Sequence, residues 1–330
     1  MNRELLERAL KFYGVLPRKI FDEQKGYRNR SFRVKTIDGE DLNLIFFKSE
    51  EGILDRIKRA DRLSEVAHLA GLPVRNLFDE KILVMENARH KIYARLYYYL
   101  PGETIAWETF TMSHIKTLGW AMSDLHFVWR NVLEELPLAT DELMVQNECM
   151  SEYFGGKSIQ VAMQEKLGVT IEIGEFRKAK RSLRATAKLK AQPLHLDLVR
   201  GNLLFLKNDN RSRETWRVGS ILLSGVIDFE KAAAGHPILD LARSYAFLVV
   251  DVANKPPEKI LKYLMESGYR KRGRNDTELD MRLFESLVQF FLVYDFYKFL
   301  KHNPYEALQK NHHFVRTRDI LIRKNVIKLA

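Results

Sequence analysis

The chain has 330 residues, of which 46% are hydrophobic and 29% are charged, and its formal net charge is +11. This composition can form a substantial buried core, which excludes a wholly disordered, collagen-like or low-complexity chain. The length exceeds the roughly 100–200 residues of one typical domain, so we expect two domains or one body of two lobes.

The first hundred residues have the pattern of a β-rich unit. Apolar residues at helical spacing predict a helix at the start of the chain and a second one inserted among strands. The predicted helices cover residues 4–13 and 53–70, and the predicted strands cover residues 31–36, 42–48, 81–85 and 92–100. Asp38-Gly39 indicates a hairpin between the first two strands, so the sheet should be mostly antiparallel. Leu100-Pro101-Gly102 then predicts a hinge.

Beyond the hinge the pattern changes to helices, interrupted by one short hairpin. The predicted helices cover residues 114–129, 141–153, 175–190, 238–250 and 279–300, and the hairpin strands cover 203–207 and 219–229. We therefore predict an α+β chain with a β-rich lobe over residues 1–99 and a larger helical lobe over residues 100–330.

The most informative segment is a loop that leads into the first hairpin strand. His195, Asp197 and Asn202 have the spacing of the kinase catalytic loop H-x-D-L-x-x-x-N, and the second strand ends in Asp228, where kinases have the acid of D-F-G. Phosphoryl transfer requires a carboxylate for the proton of the acceptor hydroxyl, and oxygen ligands for magnesium. We predict Asp197 as the base and Asn202 and Asp228 as metal ligands, because the hairpin returns the chain to the same place. His195 is predicted to brace the loop.

The β-rich lobe should also supply a lysine for the phosphates and a helix carboxylate that holds this lysine. Lys48 ends the strand predicted over residues 42–48. The candidate partners on the following helix are Asp55, Asp61 and Glu65. Glu65 is favoured over Asp61 because its distance of 17 residues from Lys48 suits an ion pair between the end of a strand and the middle of a helix.

The loop that covers the phosphates is predicted at residues 24–31. It contains a single glycine and therefore lacks the G-x-G-x-x-G pattern. Backbone amides, helped by Asn29, Ser31 or Arg30, could take the place of the missing glycines.

These motifs together resemble the aminoglycoside phosphotransferase and choline kinase family, small-molecule kinases with a protein-kinase-like fold. The resemblance covers about residues 15–300 and rests on blocks at residues 25–34, 48, 100–102, 118–126, 195–202, 227–230 and 235–242, which include H-L-D-L-V-R-G-N and I-D-F-E. It implies ATP and Mg²⁺ as cofactors, with Lys48 on the phosphates and adenine at the hinge near Tyr98 and Leu100. Asp240 resembles the structural acid of the family.

Arg200 is a departure within the catalytic loop. Near the γ-phosphate it could steady charge in the transition state, and it could equally be a surface residue. The hairpin loop over residues 208–217 is long for the family.

The same motifs argue against a protein kinase. Leu196 replaces the arginine of the catalytic loop, and 11 residues separate Asp228 from Asp240, which leaves no room for an activation segment. The acceptor should therefore be a hydroxyl-bearing small molecule. Nine acidic and three basic residues over 101–160 would suit a cationic acceptor, such as an aminoglycoside or choline, or form exposed helix faces. The basic remainder would equally suit a phosphorylated or acidic sugar.

Two other classes of function are alternatives to a small-molecule kinase. The first is a pseudokinase, a nucleotide-binding interaction module without turnover, which the complete set of Lys48, Asp197, Asn202 and Asp228 disfavours. The second is a nucleic-acid-binding protein, suggested by charge alone and by the basic stretch over residues 176–190, which lacks interleaved aromatic residues.

We expect no membrane span, since the most apolar stretch, residues 284–300, is broken by polar residues, and no signal peptide, since residues 1–14 are charged throughout. The single cysteine, Cys149, cannot form an internal disulfide, and a cytosolic protein is expected.

Overall fold

The computed structural model describes residues 3–25, 29–86, 91–132, 135–207, 216–252, 254–272 and 279–330. An antiparallel sheet flanked by helices comes first, and a larger helical part follows, as the α+β prediction requires. The first part contains α1 (Arg3–Phe12), β1 (Pro17–Ile20), β2 (Gln24–Lys25), β3 (Arg30–Thr36), β4 (Asp41–Phe47), α2 (Ile53–Leu69), β5 (Leu83–Glu86) and β6 (Lys91–Tyr98). The strand order is β1-β3-β4-β6-β5, with β2 beside β3.

The two helices pack on opposite faces of the sheet, because successive side chains of a strand point to opposite sides. On β4, Leu44 and Phe46 are buried in the cluster that contains α1 residues such as Leu10. The adjacent Phe47 is buried on the other face, with Ile57 of α2. The period-two pattern of β4 therefore fixes which side of the sheet each helix covers.

The second part is mostly helical. Its helices are α3 (Met112–Trp129), α4 (Ala139–Gly155), α5 (Lys157–Leu167), α6 (Gly174–Thr186), α7 (Ile238–Asp251), α8 (Pro257–Leu264), α9 (Met281–His302), α10 (Tyr305–Leu308) and α11 (His312–Arg323). Its strands are β7 (Val169–Ile171), β8 (Gln192–Leu194), β9 (Leu203–Lys207), β10 (Arg217–Val218), β11 (Ile221–Val226), β12 (Ala233–Gly235) and β13 (Ile327–Leu329). They form the sheets β10-β11-β9, β12-β8 and β13-β7.

The predicted hinge is a close approach between the two parts. Gly102 has φ of 133°, which disfavours any residue with a side chain. A Cβ at this position would also collide with the side chain of Ser224 on β11 and would lie 3.2 Å from the backbone nitrogen of Phe205 on β9. The chain can therefore pass over the hairpin only with glycine here.

Some predicted boundaries differ from the observed ones. The strand expected over residues 219–229 ends at Val226, so Asp228 lies in the turn that follows it. The helix expected to reach residue 190 ends at Thr186, because the chain must enter β8, which pairs with β12. Most of the long hairpin loop, residues 208–215, lies outside the described residues. In the described ranges no helix is long and apolar enough to cross a membrane.

Candidate active site

Two loops are clamped together at the centre of the second part. Residues 195–202 connect β8 to β9, and residues 227–232 connect β11 to β12. Since β8 pairs with β12 and β9 pairs with β11, each loop is held at both ends by the same two sheets. The backbone N–H of Ile227 also donates to the carbonyl of Asn202 at 3.1 Å. This pairing brings Asp197 and Asp228 to one place although 31 positions separate them.

The start of α7 holds the first loop in shape. The carboxylate of Asp240 accepts hydrogen bonds from the backbone N–H groups of His195 at 3.0 Å and Leu196 at 2.6 Å. It also accepts one from His126 Nε2 at 3.0 Å. Leu196 has φ of 58°, a left-handed conformation that costs energy without such support. Asp240 therefore fixes the backbone turn that precedes Asp197.

His195 is a buried bracing residue in this loop. Its Nε2–H donates to the carbonyl of Ile227 at 3.2 Å, and its Nδ1 accepts from the backbone N–H of Asp197 at 3.3 Å. Burial lowers the pKa of His195, although Asp240 and Asp197 oppose that effect. The neutral ring thus links the two loops and is fully occupied by backbone groups.

Asp197 is buried, with 6% of its surface exposed, and is surrounded by positive groups. Lys231 Nζ lies 2.7 Å from Asp197 Oδ2, and Arg243 Nη2 lies 4.0 Å from Oδ1. Asn202 Nδ2 donates to the same carboxylate at 3.2 Å and to the backbone carbonyl of Asp197 at 2.9 Å. Burial would raise the pKa of Asp197, but Lys231 and Arg243 hold this pKa below its ordinary value. Asp197 is therefore ionised at neutral pH.

Asp228 has the opposite electrostatic surroundings. Burial raises its pKa above the ordinary value, and so do the neighbouring carboxylates of Glu230 and Asp197. Burial would also raise the pKa of Glu230, but Arg75 and the hydrogen bond from Asp228 hold it below the ordinary value. The surroundings of Asp228 therefore favour its protonated form, and its backbone has φ of 67°.

The sequence predicts an ion pair between the sheet and α2, and the structure has one between residues other than the favoured pair. The buried carboxylate of Asp61 accepts from Arg95 Nε at 2.8 Å and from the hydroxyl of Tyr97 at 2.8 Å, both on β6. Lys48 and Glu65 are both exposed, and in the described chain Lys48 forms an ion pair with neither Glu65 nor Asp61. The favoured pair of Lys48 and Glu65 is thus absent, because Glu65 lies outside the face of α2 that is buried.

Arg75 is a functional candidate that sequence reasoning missed. This buried residue donates from Nη1 to Glu230 Oε1 at 2.6 Å, and its Nη2 lies 3.6 Å from Asp61 Oδ1. Its guanidinium group also stacks on the ring of Tyr97, 4.4 Å from the ring centre. Arg75 therefore joins the helix carboxylate to the turn that carries Asp228. In the sequence it is one arginine among many, in a segment without a motif.

Arg200 is partly buried, and among the described residues it forms no hydrogen bond or ion pair with Asp197. Its Nη1 donates to the backbone carbonyl of Ile105 at 2.7 Å, and its Nε lies 3.5 Å from Asp251 at the end of α7. Arg200 therefore forms a brace between the catalytic loop and the segment after the hinge, and its contact with the γ-phosphate stays a prediction.

The remaining predicted residues lie on the sheet and at the hinge. Asn29 Oδ1 accepts from the backbone N–H of Lys48 at 3.3 Å, so these two residues are adjacent. Ser31 lies on β3, opposite Ile45 of β4. Tyr98 is 40% exposed at the end of β6, and Leu100 packs near Gly225 on β11. Residues 26–28 of the predicted phosphate-covering loop lie outside the described residues.

The sequence matches the profile of a known family, the phosphotransferase enzyme family APH, over residues 24–271. The chain belongs to this family. The family resemblance read from the sequence is thereby confirmed, and so is the prediction of an enzyme, a small-molecule kinase acting on a hydroxyl group. No curated protein sequence matches significantly.

Solved structures of several kinases share the fold. The microcompartment-associated aminopropanol kinase has a TM-score of 0.72 and 13% identity, covering 100% of both chains. The amicoumacin kinase hAmiN has a TM-score of 0.67 and 13% identity, covering 99% of this chain and 97% of its own. Choline kinase from Cryptosporidium parvum has a TM-score of 0.55 and 12% identity, covering 98% of each chain. The predicted protein-kinase-like fold is therefore confirmed.

Proposed function

We propose that this member of the family transfers the γ-phosphoryl group of ATP to a hydroxyl group of a small molecule, with Asp197 as the catalytic base. The observation that carries the proposal is the paired loops, which hold an ionised Asp197 beside Asn202 and the Asp228 turn. We take the nucleotide to bind between the lobes at residues 1–99 and 100–330.

The transfer needs little covalent help from the protein. The acceptor oxygen forms a bond to the γ-phosphorus, the bond from that phosphorus to the bridging oxygen breaks, and ADP leaves. The hydroxyl proton passes to the carboxylate of Asp197, which is ionised at neutral pH and can accept it.

Asp228 and Asn202 are the proposed magnesium ligands. A carboxylate and an amide oxygen suit magnesium, which usually takes one or two protein ligands together with phosphate oxygens. Within the described residues no group of three or more His, Cys, Asp or Glu side chains is arranged to hold a metal ion. Burial and then Glu230 raise the pKa of Asp228, and the nearby Lys231 opposes them. Bound magnesium would stabilise the charge of the phosphates.

The nucleotide contacts are proposed on the sheet and at the hinge. Lys48, Asn29 and Ser31 would approach the phosphates, because Asn29 is bonded to the backbone of Lys48 and Ser31 lies two residues along β3. Tyr98 and Leu100 would flank the adenine at the hinge. Glu65 is not retained as a partner of Lys48.

The acceptor is proposed to be a hydroxyl-bearing small molecule of either charge. The proteins of similar fold are named as kinases of aminopropanol, amicoumacin and choline. Two of the nine acidic residues over 101–160 already have basic partners, since Asp124 is buried against Arg272 and Glu148 pairs with Lys180 at 2.9 Å. The side chains in contact with Asp197 include Lys231 and Arg243.

The test is ADP release from magnesium–ATP across a panel of hydroxyl acceptors. The panel should span aminoglycosides, choline, amino alcohols, neutral sugars and acidic sugars. We expect release that depends on one acceptor class. Asp197→Asn should lower this release by about 10³-fold, a typical contribution of a general base, and should leave magnesium–ATP binding within about threefold.

A matched control is Asp295→Asn, which changes a buried aspartate that also contacts Arg243, at 3.5 Å. The turnover of this variant should stay within about tenfold of the wild type, because Asp295 is linked to Asp197 only through Arg243. Turnover retained in Asp197→Asn would contradict the proposed base. Nucleotide binding without release for any acceptor would favour a pseudokinase, and failure to bind ATP would exclude the proposal.

A further inference from the structure

We propose that Lys231 is a second catalytic residue, which binds the phosphoryl group during its transfer. This inference rests on the proposed function. Lys231 ends the turn over Phe229–Lys231, three residues after Asp228. Its Nζ lies 2.7 Å from Asp197 Oδ2, and its side chain is 41% exposed while that of Asp197 is 9% exposed. The ammonium group therefore covers the solvent side of the predicted base.

The phosphoryl group must pass close to this ammonium group. A base acts at about 3 Å from the acceptor oxygen, and that oxygen begins its attack about 3–3.5 Å from phosphorus. The γ-phosphorus therefore approaches within roughly 6 Å of the Asp197 carboxylate. A lysine beside that carboxylate, on a flexible four-carbon stem, can reach its oxygens without movement of the backbone.

The other cations near Asp197 are engaged elsewhere. Arg243 is buried against the ring of Phe247 and lies 3.5 Å from Asp295. Arg200, the cation that the sequence suggested for this role, is bonded to Ile105. Of the cations described in contact with Asp197, Lys231 is both the closer and the more exposed.

The contact also explains how the base becomes available. In the structure Lys231 neutralises Asp197 and lowers its pKa, an effect second only to the opposing effect of burial. When the γ-phosphoryl group arrives, its oxygens compete for the ammonium group. A shift of Lys231 from Asp197 to the phosphoryl group leaves the carboxylate free for the hydroxyl proton, and Lys231 keeps its own proton throughout. The transferred charge is then stabilised by a cation that stays in the site.

The experiment compares the affinities of magnesium–AMP-PNP and magnesium–ADP by calorimetry, which needs no acceptor. Lys231→Gln should weaken AMP-PNP binding about tenfold and leave ADP binding within about twofold, because only AMP-PNP carries the γ-group. Lys231→Arg should retain most of the AMP-PNP affinity. The matched control is Lys298→Gln, since Lys298 is 39% exposed and pairs with buried Asp295 at 3.1 Å. Both of its affinities should match the wild type.

A second pair of variants separates phosphate binding from support of Asp197. In an Asp197→Asn background the change Lys231→Gln should still weaken AMP-PNP binding about tenfold. This double variant also leaves no unpaired carboxylate, so it keeps the test open if Lys231→Gln alone does not fold. Equal effects on AMP-PNP and ADP, or no effect in that background, would overturn the role of Lys231. A wild-type protein that bound neither nucleotide would instead overturn the proposed function.

Discussion

Asp197 and Asp228 lie in the same candidate site but have opposite electrostatic surroundings. Burial acts on both Asp197 and Asp228, but Asp197 faces Lys231 and Arg243, whereas Asp228 faces Glu230. Their pKa values are therefore moved in opposite directions, which commonly distinguishes the acid and base roles of paired groups. Here the ionised member, Asp197, suits proton acceptance.

Arg200 provides a test of role at the level of one residue. Because its guanidinium group bonds to Ile105 and approaches Asp251, Arg200→Ala should lower the free energy of unfolding by about 1–2 kcal/mol. The same variant should lower kcat by less than about tenfold, because the side chain does not reach Asp197. Urea unfolding and ADP release measure the two effects. A fall in kcat of about 10³-fold with unchanged stability would restore the direct role in the transition state.

The roles of Lys48 and Glu65, the carboxylate expected from the sequence to pair with it, can be compared by substitution. Lys48 is exposed and lacks that support, so Lys48→Ala should raise the KM for ATP by about fivefold, the value of a weakly held surface charge. Glu65→Gln is the matched control and should change neither KM nor kcat. A rise in KM for both variants would mean that the pair forms when the nucleotide binds.

At the scale of secondary-structure elements, the sequence predicts best those strands and helices whose residue pattern extends over several neighbouring positions. The apolar runs predict the hairpin of β9 and β11, which explains, together with the β8–β12 pair, why Asp197 and Asp228 meet. The β8–β12 pair was missed, since strands of three residues such as Gln192–Leu194 are defined by partners 40 positions away rather than by local pattern. The partner of Asp61 was missed for the same reason, because Arg95 lies on a different strand from Lys48.

The start of α3 contains a group that makes stability depend on pH. His114 is buried, its Nδ1 accepts from the backbone N–H of Thr111 at 2.9 Å, and its ring stacks on Phe110. Burial, with a smaller effect of Lys255, lowers the pKa of His114 to about 4. The folded state thus binds this proton less tightly than the unfolded state, whose pKa is about 6.5. Stability from His114 is present above about pH 6.5 and is lost as the pH falls toward 4.

We therefore expect the wild type to lose up to roughly 3 kcal/mol of stability from this group between pH 6.5 and 4. His114→Gln should have a shallower decline over that range, because glutamine does not titrate and can still accept from Thr111. The exposed His302, replaced by Gln, is the control and should leave the wild-type decline unchanged. Urea unfolding at a series of pH values measures this, and parallel curves for His114→Gln and the wild type would contradict the assignment.

At the scale of the whole molecule, α2 belongs to both parts. Ile57 packs against the sheet, whereas Ala60 and Leu63 belong to the core of the helical part. Trp129 of α3 donates from its indole nitrogen to the backbone carbonyl of Leu63 at 3.0 Å. Since α2 also carries Asp61, the polar link through Arg75 to Glu230 lies beside this apolar contact. One helix is thus shared between the two cores.

Arg75 should accordingly couple the stability of the two parts to the Asp228 turn. Arg75→Met removes a buried cation and leaves Glu230 without its 2.6 Å partner, so we expect a loss of about 3–5 kcal/mol in the free energy of unfolding. Glu230→Gln added to Arg75→Met removes the unpaired charge and should recover more than half of that loss, because two neutral groups of similar size can be buried together.

The recovery identifies the pair as the cause of the instability. If Arg75→Met were destabilising only through lost packing on Tyr97, the second substitution would give no recovery, and the two effects would simply add. Magnesium–ADP binding to the double variant extends the test to the site. The double variant removes the charge of Glu230 beside Asp228, the proposed magnesium ligand, so magnesium–ADP affinity should change together with stability. Unchanged binding would mean that the link holds the lobes together but does not tune the Asp228 turn.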